Sequence, residues 1–342
     1  MTELITKYFV IAYSFIALKK ESDLRSIYRI SLVGLSILTF FAIINLLSGY
    51  SDFVDLMVKG RDVSTAMDND VIDLGSRYVD TGRFRVQGMF LLAFDYGYVC
   101  AIFFLFYLYG VLCEFISKRI GVYAMLCCLF GVITCNCRTI LFSLLVSIIV
   151  FFFFCYGKRI TKYLLFLFIC ALTIYFSSSD VNKYVNEKVL SMFEYDGGVE
   201  GSSMAMRAVQ YLAVIPHVEG HEVFGRGKDY FNIDLGWRDG IKVDEDLEGI
   251  EGILLNLILE RGIIGVIFWA SFYIVLFVYL KKNKQLDIKI SSFGMACIIF
   301  YLLYANMTGE MGCVFSTMLI LGVVMKQVCF RKLVPSKVVV SK

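Results

Sequence analysis

Apolar residues along this chain come in continuous runs of roughly 15–24 residues, each long enough to cross a bilayer as a helix. The runs fall at about 4–18, 30–47, 89–112, 120–135, 139–156, 162–178, 262–280, 290–306 and 311–328. Because they are continuous rather than alternating, helices are favoured over a β-barrel. The pattern predicts an all-α polytopic membrane protein, a single membrane domain over residues 1–342 with about nine transmembrane helices. Two long polar stretches interrupt it, at about 48–88 and 179–261. Inside the second, Arg207–Ile215 reads as a short amphipathic helix along the membrane surface, capped by Ser202 or Ser203 and ended by Pro216.

The first run is short and contains Lys7. It is expected to be a weak span or the remnant of a longer N-terminal set of helices. Basic residues follow it and no small-residue cleavage site does, so a cleavable signal peptide is not expected.

Composition agrees. Hydrophobic residues make up 58% of the chain, above the half that soluble domains approach. The only prolines are Pro216 and Pro335, and no low-complexity linker divides the sequence. Most of the eleven cysteines lie in apolar runs and the long loops hold none, which argues against a disulfide framework there. Cys135 and Cys137 flank Asn136 at a helix end, where both a redox or metal pair and small residues at a helix break are open readings.

Charge sets the orientation. Lys19, Lys20, Arg25 and Arg29 fill one connector, and Lys118 with Arg119 marks the next on that side. Lys158, Arg159 and Lys162, then Lys281, Lys282, Lys284 and Lys289, and finally Arg331, Lys332, Lys337 and Lys342 continue the alternation. By the positive-inside rule these connectors and the C-terminus face the cytoplasm, and both long loops face outward. The first loop carries 5 Lys/Arg against 7 Asp, and the second 8 Lys/Arg against 16 Asp/Glu. With the whole chain at +3, the loops at −2 and −8 leave +13 on the rest, a separation that supports the same orientation.

Against that background, certain residues are expensive where they sit. Arg138 lies in Thr134-Cys135-Asn136-Cys137-Arg138-Thr139, between two apolar runs with no room for a loop. An arginine so near hydrocarbon must snorkel, pair or bind something, and a planar guanidinium suits a phosphate better than lysine does. Arg207 opens the surface helix, and Gly225-Arg226-Gly227 reads as a tight turn whose backbone can approach a ligand. Arg77, Arg83 and Arg85 close the first loop, against the positive-inside trend. Glu248 and Glu251, three apart in an acidic stretch, offer a general base, with a metal site or a solvated face as rivals. Asp95 stands inside its span, where it lines an aqueous cavity or pairs with a loop arginine. His217 and His221 follow Pro216 without a third zinc ligand at suitable spacing, and Glu310 tips the last outer turn. No Walker loop or dinucleotide fingerprint occurs, and the cytoplasmic connectors are too short for a soluble catalytic domain.

Taken in order, these features resemble the O-antigen polymerase and O-antigen ligase superfamily. The resemblance runs from about Arg77 to Leu280 and rests on the arginine-bearing outer loop, Thr-x-x-x-Arg-Thr-Ile-Leu around Arg138, and the long loop with Arg207. It continues through Phe224-Gly225-Arg226-Gly227 and the stretch through Glu260-Arg261-Gly262-Ile263-Ile264-Gly265.

It implies glycosyl transfer without metal or other cofactor at the periplasmic face of the bacterial inner membrane. The donor would be an oligosaccharide on undecaprenyl diphosphate. A flippase and a chain-length regulator are possible partners, and no nucleic acid is implied. On this reading Arg138 and Arg207 bind the diphosphate and neutralise the charge on the leaving group. Arg77, Arg83, Arg85, Arg226 and Arg238 are secondary substrate contacts, and Glu248 or Glu251 takes the acceptor proton. The ligases resemble one another in a histidine nine residues before the glutamate of the Glu-x-Gly-Ile-Ile-Gly stretch, where this chain has Glu251, and that favours polymerase over ligase. A transporter or flippase without catalysis is the rival from another class, although its polar site belongs near the midplane.

Overall fold

The computed structural model describes residues 7–49, 85–157, 159, 162, 204–228, 230, 252–309 and 313–333. All regular structure among them is helical: α1 (Val10–Ala17), α2 (Ser22–Ser48), α3 (Ala93–Leu112), α4 (Lys118–Thr134), α5 (Arg138–Tyr156), α6 (Met204–Val218), α7 (Ile253–Lys282), α8 (Ile288–Thr308) and α9 (Val314–Leu333). Six of these, α2, α3, α5, α7, α8 and α9, are long and apolar enough to cross a membrane. The chain is therefore a multi-pass membrane protein. The run at 162–178 lies outside the described residues, apart from Lys162. The first run holds a helix of only 8 residues, α1.

Two compact units divide the chain. One comprises Met1–Cys155, Val275–Leu303 and Met311–Lys342; the other comprises Tyr156–Ile274 and Tyr304–Glu310.

In the first unit α3 is the central helix. Its apolar window is 67% buried, as are 72% of that of α8 and 61% of that of α9, against 17% for α2, so α2 keeps most of its surface for lipid. Aromatic stacking fills the middle: Tyr28 lies on Phe106 at 4.1 Å and Tyr109 on Phe293 at 4.6 Å. Hydrocarbon surroundings give no hydrophobic drive for helices to pair, so close backbone approach through small residues matters more. Between α3 and α4 it is achieved at Gly97, where a Cβ would lie 2.3 Å from Cys135 Sγ, and at Gly131, where it would lie 2.4 Å from Cys100 Sγ. On the other side α1 docks against α9 at Gly322, where any Cβ would strike Ser14 Oγ.

The connectors of this unit gather at two ends. At the basic end Lys289 Nζ donates to the carbonyl of Leu112 at the close of α3. Asp287 accepts the Lys289 and Ile290 amides as the cap of α8. Arg331 spans from Glu21 (3.1 Å) to Asp287 (3.7 Å). These bonds join the ends of α2, α3, α8 and α9 at that side. At the other end the Gln87 amide donates to Asn45 Oδ1 and the Val86 amide to the carbonyl of Thr134. Asp95, at the head of α3, lies beside Cys313, at the head of α9.

The second unit is built on a broken helix. α7 is two helical pieces joined within Ile253–Lys282, because Gly262 has φ 61° and ψ −164°, which no right-handed helix contains. The helix thus begins nine residues before the expected span at 262 and is interrupted at the residue where that span is expected to start. Upstream of the break, Leu255 and Leu259 form a small core with Val214 of α6, flanked by Ala213, Val218, Tyr230 and Ile258. Pro216 does not end α6: the helix continues through it to Val218, because a proline in the last turn forfeits only one backbone donor.

Candidate functional site

The turn carrying Arg138 is as tight as the sequence requires. The α4 ladder closes with the Cys135 amide on the carbonyl of Gly131, and the Asn136 amide reaches the carbonyl of Ile133. Asn136 then takes φ 51°, a left-handed conformation that asparagine tolerates better than most residues. Cys137 follows and α5 starts at Arg138. The thiols have local duties: Cys135 Sγ contacts the carbonyl of Val132, and Cys137 Sγ lies 3.1 Å from Thr139 Oγ1. These contacts bear out the small residues at a helix break. The two cysteines are free thiols.

Arg85 reaches the same turn. Its guanidinium lies 5.1 Å from the Phe94 ring centroid, a cation–π distance. Val86, bonded to Thr134, fixes the approach of this segment. The structure therefore brings one secondary candidate, Arg85, to the turn that ends in Arg138. Asn45 and Phe94, which position it, carry no signal in the sequence.

Around Gly262 the second unit joins two glycine-bearing segments that lie far apart in the chain. Breaking a helix leaves carbonyls unpaired before the break and amides unpaired after it. Here the segment from Glu222 to Gly227 supplies the partners. The Arg226 amide donates to the carbonyl of Leu259 (2.8 Å) and the Gly227 amide to that of Glu260 (3.0 Å). In return the Ile263 amide donates to the carbonyl of Glu222 (2.8 Å) and the Ile264 amide to that of Val223 (3.2 Å). The backbones touch: a Cβ on Gly225 would lie 2.4 Å from the Arg261 nitrogen, and one on Gly262 would lie 2.4 Å from the Val223 oxygen. Both glycines have positive φ as well. The tight turn expected to admit a ligand instead admits the backbone of α7.

Arg226 has a structural task in this arrangement. Its Nε donates to the carbonyl of His217 in the last turn of α6, and its guanidinium stands 5.4 Å from the Tyr230 ring centroid. The His217 ring lies 3.3 Å from Tyr230 Oη through Nδ1. The Glu222 carboxylate accepts the Gly220 amide at 2.9 Å, and backbone amides hold it below the usual glutamate range. Among the described residues no group of three His, Cys, Asp or Glu side chains is placed to hold a metal. Of the other candidates, Arg207 opens α6. Arg77, Arg83, Arg238, Glu248, Glu251 and Glu310 lie outside the described residues.

The fold thus defines a polytopic membrane protein in which the Phe224–Gly227 and Glu260–Gly265 motifs are built into one hydrogen-bonded junction. A family model described as O-antigen ligase matches residues 123–270, from α4 through the turn at Arg138 and the junction into α7. The match supports the O-antigen polymerase and ligase superfamily, a glycosyltransferase-like class that acts on lipid-linked oligosaccharides. No curated protein and no solved structure matches the chain.

Proposed function

We propose that the chain is a polymerase of lipid-linked oligosaccharide repeat units at the periplasmic face of a bacterial inner membrane, with its C-terminus in the cytoplasm. It would transfer the growing glycan from undecaprenyl diphosphate to the next repeat unit. One observation carries the choice within the superfamily: Glu251 stands where the ligases resemble one another in a histidine. In the reaction, a hydroxyl of the incoming repeat unit attacks the anomeric carbon of the donor. Glu248 or Glu251 takes the hydroxyl proton, and the bond from that carbon to the diphosphate oxygen breaks. Arg138 and Arg207 bind phosphate and stabilise the departing charge, with Arg85 as support at the Arg138 turn.

The description of the matching family favours a second reading, a ligase that moves finished polymer to another acceptor. A deletion strain separates the two: single repeat units accumulate if a polymerase is lost, full-length polymer on the lipid carrier if a ligase is lost. In the complemented strain Arg138→Ala is expected to abolish long chains while single units persist. Arg138→Lys should restore little, because lysine lacks the planar fork. Unchanged chain length on a gel in both Arg138→Ala and Arg207→Ala would refute the assignment of the diphosphate.

A further inference from the structure

Within the second unit, α6 has two unlike faces. Gln210 and Val214, one turn apart, are buried, Val214 against Leu255 and Leu259. The opposite face carries Leu212 and Ile215, 67% and 62% exposed. The turn beyond it ends in Val223 and Phe224, and Phe224 is 75% exposed. A soluble surface does not normally present such a row of large apolar side chains together.

The junction fixes how deep that row sits. The Val223 carbonyl accepts the Ile264 amide, and the Glu222 carbonyl accepts that of Ile263. The apolar run read from the sequence starts at 262, and beyond it Ile267 and Phe268 of α7 are also exposed. Val223 is therefore held within one hydrogen bond of the start of that run, with Phe224 next to it in the chain. A water-filled site there would leave the phenyl ring solvated on most of its surface, which costs free energy relative to burial.

We propose that Val223 and Phe224, with the Leu212–Ile215 face of α6, form a wedge inserted among the acyl chains of the outer leaflet. The occupant of this face is bilayer lipid. Continuity supports this: backbone hydrogen bonds join the turn to α7 just before its exposed apolar residues Ile267 and Phe268, and Leu212, Ile215, Val223 and Phe224 are themselves apolar and exposed, with the charged Glu222 and Arg226 exposed at the edge of the row. The wedge pins α6 in the interfacial plane, as amphipathic interfacial helices are held by their apolar side. It does not depend on which reaction the protein performs.

The test is site-specific photocrosslinking of the full chain in nanodiscs of phosphatidylethanolamine and phosphatidylglycerol. A photoreactive phenylalanine analogue is placed in turn at Phe224, at Leu212, at Phe268 as the spanning-helix control and at Glu219 as the exposed polar control. The expected result is phospholipid adducts by mass at 224, 212 and 268, and none at 219. Adducts at 268 with none at 224 and 212, or adducts from 224 to a protein rather than to lipid, would overturn the proposal. As an independent check, F224W is read against the wild type with depth-specific brominated phospholipids. The added tryptophan emission should be quenched by bromines on the acyl chains and not by aqueous iodide, and the reverse pattern would also overturn it.

Discussion

Gly225 offers a direct trial of the junction between the 222–227 turn and the break in α7. In Gly225→Ala the new methyl carbon would meet the Arg261 nitrogen at 2.4 Å, the Glu260 carbonyl carbon at 2.5 Å and the Gly262 nitrogen at 2.6 Å. All three are backbone atoms and cannot swing aside as a side chain does. Holding alanine at φ 69° costs about 1 kcal/mol, and relieving the overlap about 1–3 kcal/mol more. If the turn lifts away, four backbone hydrogen bonds go with it, each worth about 1 kcal/mol net. A local loss of about 2–4 kcal/mol, by either route, corresponds to roughly a thirtyfold to thousandfold loss of amide protection at Arg226, Gly227, Ile263 and Ile264. Gly220 is the matched control. It too has positive φ, 76°, but an added Cβ meets nothing within 4 Å, so Gly220→Ala should cost only the conformational term. Hydrogen exchange by mass spectrometry in detergent micelles reads both variants. Equal protection in Gly225→Ala and Gly220→Ala would refute the claim that the junction depends on the absent side chain.

Arg226→Ala should fray the end of α6 and lower its protection by about 1 kcal/mol while leaving glycan chain length intact; a collapse of chain length with unchanged protection would make Arg226 a substrate ligand instead. Gly97→Ala should lower thermal stability through its overlap with Cys135 Sγ, and Cys135→Ala should recover part of that loss, a coupling measured by a double-mutant cycle. Glu222 supplies a pH test. Its folded value lies below the ordinary 4.5, so its contribution is present above that pH and is lost as pH falls through the folded value. The protection factor at Gly220, taken relative to the intrinsic exchange rate at each pH, should therefore fall on acidification in the wild type and stay flat over the same range in Glu222→Gln.

Spanning helices are legible in the sequence because each apolar run is continuous and bounded by charge. The expected runs at 89–112, 139–156, 290–306 and 311–328 agree with α3, α5, α8 and α9 to within a few residues. The start of α7 is not legible. Leu255 and Leu259 look like the approach to a membrane run, yet they are buried against Val214 of α6. Apolarity does not say whether lipid or protein covers a side chain. The arginine at the head of α5 can be located because two runs leave no room for a loop. The partner of Gly225 cannot, since Gly262 lies 37 positions further along the chain and only the folded backbone shows that each glycine leaves space for the other segment's backbone. Arg226 reads as a ligand group for the same reason: its acceptor, the His217 carbonyl, is a backbone atom and leaves no mark in the sequence.

The seat of α1 on Gly322 also imposes an order in time. Ser14 and Gly322 are 308 positions apart, so the ribosome makes the seat long after the helix that occupies it. At roughly 10 residues per second, α1 waits about half a minute for α9. Through that interval the eight-residue helix lacks its seat on α9, and that contact closes only when α9 has been released into the bilayer.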